Sequence, residues 1–71
     1  MVEKTIKINY QDGDMKIFKN VLEYVSGMYY FFFVQIKEGV KVPVCVDRND
    51  IDNVETKHKN YWKRVSLKKR Y

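Results

Sequence analysis

One cysteine, one proline, one histidine and three glycines among 71 residues set the first limits on this chain. A single thiol, Cys45, closes no internal disulfide, which is the usage expected in a reducing compartment such as the cytoplasm. No Cys/His spacing for zinc, no glycine-rich phosphate loop and no pair of catalytic carboxylates is present. No charged-then-apolar leader opens the sequence. The longest apolar run, residues 28–34, is far too short to cross a bilayer, so no membrane partner is expected. A chain this short has little core to give up to a cavity, so neither a small-molecule substrate nor a cofactor is expected.

The few groups capable of chemistry have plainer readings. His58 lies between Lys57 and Lys59 with no carboxylate in its segment to orient it, and reads as a solvated surface residue. Cys45 falls in a valine-rich stretch, where a thiol behaves as a small core hydrophobe. A nucleophile there would need His58 delivered to it by the fold. Asp47, Asp50, Asp52 and Glu55 resemble a calcium loop only superficially. Counted from Asp47, the fifth position is Ile51 and the sixth is Asp52, where an oxygen ligand and glycine belong. The cluster reads as a solvated acidic turn that balances the basic end. The expectation is therefore a protein that is not an enzyme.

What the sequence has in plenty is strand signal. Ile6, Ile8 and Tyr10 alternate with Lys7 and Asn9, the period of a half-buried strand that Val2 begins. Asp12-Gly13 then supplies a hairpin turn. A second strand starts at Met15, is interrupted at Lys19-Asn20, and resumes from Val21 to Val25 after a bulge or bend. Ser26-Gly27 turns the chain into residues 28–37, the strongest strand, whose two faces are almost equally apolar. Its aromatic run, Tyr29 to Phe33, reads as the core spine, with Tyr29 its most exposed member. Glu38-Gly39 turns into residues 40–47, where Val40, Val42, Val44 and Val46 share one face. Pro43, on the other, marks an edge or a bulge. Residues 47–50 form a turn or short helical turn with Asp50 as a cap, and residues 51–55 a brief closing strand. The pattern predicts a mostly β fold: a small antiparallel meander or SH3-like half-barrel of four to five strands.

Charge divides the chain unevenly. Residues 1–55 hold seven Lys/Arg against nine Asp/Glu, a net of −2, whereas residues 56–71 hold seven Lys/Arg and no acid, a net of +7. We read residues 1–55 as a β-sheet core and residues 56–71 as a basic aromatic segment of the same single domain, either strand or short helix. In it Lys57, Lys59, Lys63, Arg64, Lys68, Lys69 and Arg70 are interleaved with Tyr61 and Trp62. Cations attract phosphates without regard to sequence, and flat rings stack on exposed bases. These nine residues are the candidate binding site. The two rings have the alternative role of anchoring the segment to the core.

Residues 5–55 also resemble short bacteriophage and prophage accessory proteins of small β-barrel type. The resemblance runs through Ile6-Lys7-Ile8-Asn9-Tyr10, the Asp12-Gly13-Asp14 turn, Lys16-Ile17-Phe18-Lys19-Asn20-Val21 and Tyr24. It continues through the aromatic strand to Val42-Pro43-Val44 and Asp50-Ile51-Asp52-Asn53-Val54-Glu55. It implies an accessory protein that acts by binding in a host cytoplasm, in some cases as an inhibitor of host defence or polymerase. No functional residue carries over, and the basic segment lies outside it. Three readings follow. The first is a phage-type module binding single-stranded nucleic acid or RNA. The second is a protein inhibitor of a host enzyme such as a CRISPR nuclease, seated on an acidic protein surface. The third is a homo-oligomeric structural protein with edge strands paired across a two-fold axis.

Overall fold

Alternation in the first strand is carried into the structure without loss. In the computed structural model, which describes residues 4–67, β1 (Lys4–Tyr10) buries Ile6 and Ile8 completely and turns Lys7 and Asn9 to the opposite face. Val2, Lys68, Lys69 and Arg70 lie outside the described residues. A tight turn with Gly13 at φ 93 leads to β2 (Met15–Ser26). Its Tyr10 N–H donates to the Asp14 carbonyl at 2.8 Å, and its Gly13 N–H to the Tyr10 carbonyl at 3.1 Å. Next come β3 (Tyr30–Lys37), β4 (Val40–Asp47), a single 3-10 turn (Arg48–Asp50), β5 (Ile51–His58) and β6 (Tyr61–Arg64). All neighbours are antiparallel, in one open sheet of order β4-β3-β2-β1-β5-β6.

The fold is mostly β, as the sequence pattern predicts, but with six strands among the described residues rather than four or five. The sixth comes from the basic segment: over residues 56–64 that segment is strand rather than helix, because β5 continues to His58 and β6 pairs back onto it. The strong strand begins at Tyr30. Its faces differ more than their composition suggests: Phe31, Phe33 and Gln35 are buried, while Tyr29, Tyr30 and Phe32 are exposed. The core spine is therefore two phenylalanines rather than the whole aromatic run, and Tyr29, 63% exposed, is its most open member. Cys45 corrects the expectation of a core thiol. It has the opposite parity to Val42, Val44 and Val46 and is exposed. The 3-10 turn is capped by Asp47 rather than Asp50, its Oδ1 accepting from the Asn49 N–H at 2.8 Å.

One open sheet has to bend to bury one of its own faces. β2 supplies the bend through two irregularities, one between its pairings to Ile6 and Lys4 and one at Leu22. Each adds a residue without a partner and increases local twist. Inward residues in β2 consequently fall three apart, at Phe18, Val21 and Tyr24. Asn20 takes φ 59 at the first irregularity, a left-handed conformation that Asn tolerates better than most residues. The carbonyl next to it, on Lys19, is met by the buried Gln35 side chain, whose Nε2 donates at 2.9 Å. The inner face thus closes on a cluster of Ile6, Ile8, Val21, Phe31, Phe33, Ile51 and Val54. Phe18 meets Phe33 edge-on at 4.9 Å and Tyr24 stacks on Phe31 at 5.6 Å. The other face, outward, stays open to solvent. Pro43 lies on β4, an edge of the sheet, as its missing donor requires.

Candidate functional site

The β5–β6 hairpin concentrates the charge. Register places His58 opposite Tyr61, Lys57 opposite Trp62, Thr56 opposite Lys63 and Glu55 opposite Arg64. Cross-strand partners share a face, so the candidate residues divide between the two sides of the sheet. On the outward side stand Lys57, Trp62 and Arg64. On the inward side stand Lys63, Tyr61 and His58, beside the rim of the core. Lys59 is at the hairpin tip with φ 55, a conformation that costs a residue with a Cβ about 1–2 kcal/mol.

Trp62 is half-buried, yet it packs on neither Ile6 nor the phenylalanines. Two ammonium groups flank its ring instead, Lys7 Nζ at 4.4 Å from the centroid and Lys57 Nζ at 5.6 Å. The anchoring role considered for Tyr61 and Trp62 belongs to other residues. Val65 and Leu67 pack against the core, and the Val65 N–H donates to the Val54 carbonyl at 2.8 Å. Tyr61 is 56% exposed. Its ring stacks on His58 at 5.9 Å, and His58 Nε2 lies 3.2 Å from Thr56 Oγ1. On this inward side an open groove of about 490 Å³ runs between Tyr24, His58, Lys63 and Val65.

Lys7 belongs to the site although it lies far from it in sequence. Its Nζ is 3.3 Å from Glu55 Oε1 as well as against Trp62. The same Glu55 oxygen accepts from Asn9 Nδ2 at 3.0 Å, and Asn9 Nδ2 also donates to Asn53 Oδ1 at 2.8 Å. Glu55, the acid that faces Arg64 across this hairpin, is therefore already engaged by a cation and an amide; Asp52, at the far end of β5, is the hairpin's other acid. Each of these contacts is partly solvated and adds little to stability by itself. Together they hold Lys7 over Trp62. The sequence carries a signal for Lys7, its place on the polar parity of β1, but none for β1 pairing with β5 across 44 residues of chain.

The fold does not bring Cys45 and His58 together. Cys45 points outward from β4, whereas His58 shares the inward parity of Val54 and Thr56 on β5, four strands along the sheet. Among the described residues no group of His, Cys, Asp or Glu is clustered to hold a metal ion, and no helix is long and apolar enough to cross a membrane. The fold and its charged hairpin define a small all-β domain with a basic aromatic edge. Comparison with protein-family models, with curated proteins and with solved structures finds no match to this chain.

Proposed function

We propose that this domain is a non-catalytic binding module whose β5–β6 hairpin grips single-stranded nucleic acid or RNA. The observation that carries the reading is the composition of one short hairpin and its neighbour. Lys7, Lys57, Lys59, Lys63 and Arg64 surround Trp62, Tyr61 and His58, the nearest acid, Glu55, is engaged by Lys7, and the hairpin's other acid, Asp52, lies at the far end of β5. A polyanionic backbone gains from such a row of cations by releasing its counterions. Exposed bases find flat partners in Tyr61 and, once a lysine moves aside, in Trp62. A four-residue edge strand has room for an extended single strand alongside it. Lys68, Lys69 and Arg70 continue the same charge along the sequence.

The buried cluster on one face of a single bent sheet is what supports describing the scaffold as an SH3-like half-barrel. The resemblance to phage accessory proteins and the single cysteine are what support reading its action as cytoplasmic, in a host cell. The test is titration with short labelled oligonucleotides, followed through Trp62, the only tryptophan. Binding should quench Trp62 and weaken with salt, log K falling against log salt with a slope of about −0.7 for each phosphate neutralised. Absence of binding at low salt defeats this reading. If the protein also recovers one host protein from nuclease-treated lysate, the hairpin serves instead as an inhibitor's contact with an acidic protein groove.

A further inference from the structure

We propose that β4 pairs with β4 of a second copy across a two-fold axis, in the register that sets Lys41 against Asp47, Pro43 against Cys45 and Val44 against itself. β4 is hydrogen-bonded to β3 on one side and, among the described residues, to no strand on the other. Two observations fix which of its backbone groups are left over. The Arg48 N–H donates to the Tyr29 carbonyl at 2.9 Å, and Lys37 faces Val40 across the two-residue Glu38-Gly39 turn. Residues 40, 42, 44 and 46 therefore bond to β3. The backbone groups of Lys41, Pro43, Cys45 and Asp47 point away from it.

A two-fold antiparallel pairing has to match these outward residues with one another. Centring it on Pro43 opposes two residues that both lack a donor. Centring it on Cys45 drives Lys41 against Asn49, which lies in the 3-10 turn rather than in a strand. Centring it on Val44 engages all four outward residues of each copy, and each Pro43 forfeits one bond.

The side chains agree with that register. On the outward face Lys41 meets Asp47 of the second copy twice over, opposite charges on exposed positions. Asp47 Oδ1 is held by the Asn49 N–H, which leaves its other oxygen free to receive the ammonium. On the inward face the half-buried Val42, Val44 and Val46 form one stripe with their counterparts. Cys45 ends an apolar row with Phe32 and Val25, which are 39% and 60% exposed, and pairing extends the row onto Pro43 of the other copy. The opposite edge, β6, is the poorer candidate, because it has four residues and the register that engages both of its outward residues, Trp62 and Arg64, sets Lys63 against itself.

The test uses the full chain and involves no nucleic acid, so it stands or falls apart from the function proposed above. Sedimentation should show a species of twice the 8.6 kDa chain mass that grows with concentration. Lys41→Glu, at an exposed position, should weaken it at least about tenfold, because two attractive cross-strand pairs become repulsive. In a Cys45→Ser background, Val44→Cys should form an intermolecular disulfide on mild oxidation. Facing residues in such a non-hydrogen-bonded pair sit about 4.5 Å apart between Cα atoms, within disulfide reach. Val42→Cys in the same background should not, since it faces Val46. A monomer at every concentration up to about 1 mM overturns the proposal. So does a dimer indifferent to Lys41→Glu, or one that cross-links through Val42→Cys as readily as through Val44→Cys.

Discussion

β4 and β6 stand at the two ends of the same sheet, and each leaves a row of backbone groups without a partner strand among the described residues. Such rows template aggregation unless they are managed. β6 is short and carries Lys63 and Arg64 beside Lys57 and Lys59, so two β6 edges repel. β4 is twice as long and carries Lys41 and Asp47 near its ends with Pro43 between, so one register of two β4 edges matches opposite charges while those centred on Pro43 or Cys45 lose bonds or run into the 3-10 turn. The difference teaches how an edge selects its partner. On the two proposals above, like charge keeps copies away and draws a polyanion, whereas opposite charges with one missing donor admit a copy in one alignment.

That contrast can be broken at several strengths. Phe33→Ala should act on both edges alike, because Phe33 is fully buried and touches both Phe18 and Phe31. A loss of about 3–5 kcal/mol is expected, enough to unfold much of so small a domain, and urea denaturation followed by circular dichroism would register it. If the variant keeps its midpoint, the core is not where the structure puts it. Trp62→Ala should separate the edges instead. Oligonucleotide affinity should fall by about 1–3 kcal/mol while the sedimentation profile stays unchanged, and a parallel loss in both would mean that Trp62 is structural.

Lys59→Gly sharpens the comparison by relaxing one edge only. The tip residue of the β5–β6 hairpin has φ 55, and relief of that strain should raise the thermal midpoint by the equivalent of about 1 kcal/mol. An unchanged or lower midpoint would show that the turn is not strained. The smallest effect concerns Tyr10, which sits at the β1 end of the sheet, away from both edges. Burial pushes its phenol above the ordinary 10.0, and Asp50, Asp12 and Asp14 add to the shift. Because the folded state holds the proton more tightly, this contribution is complete below pH 10. It is lost as pH climbs above about 10, where the unfolded chain ionises first. Tyr10→Phe should flatten the decline in stability between about pH 9 and pH 11, and identical slopes in the two proteins would remove the effect.

Most elements were legible in the sequence because their signals are local. Gly13 and Gly39 adopt the positive φ their turns need, at 93 and 78, and Pro43 ends up where a missing donor does least harm. Lys19-Asn20 marks the irregularity in β2. Less of the site was legible. Lys57, Lys59, Tyr61, Trp62, Lys63 and Arg64 do share one hairpin, but Lys7 joins them only because β1 lies between β2 and β5. His58, a bland surface residue on its neighbours alone, becomes a stacking partner of Tyr61 once the hairpin closes.

By itself the sequence determined the strands, the turns and the crowding of cations into the final residues, since each of these depends on neighbours a few positions apart. Only the tertiary structure decided which face of β3 is buried, that Cys45 looks outward, and which strands are left as edges. Those outcomes depend on how a sheet bent at Asn20 chooses the face it encloses. That choice is a balance of buried area over the whole domain, which no short stretch of chain contains.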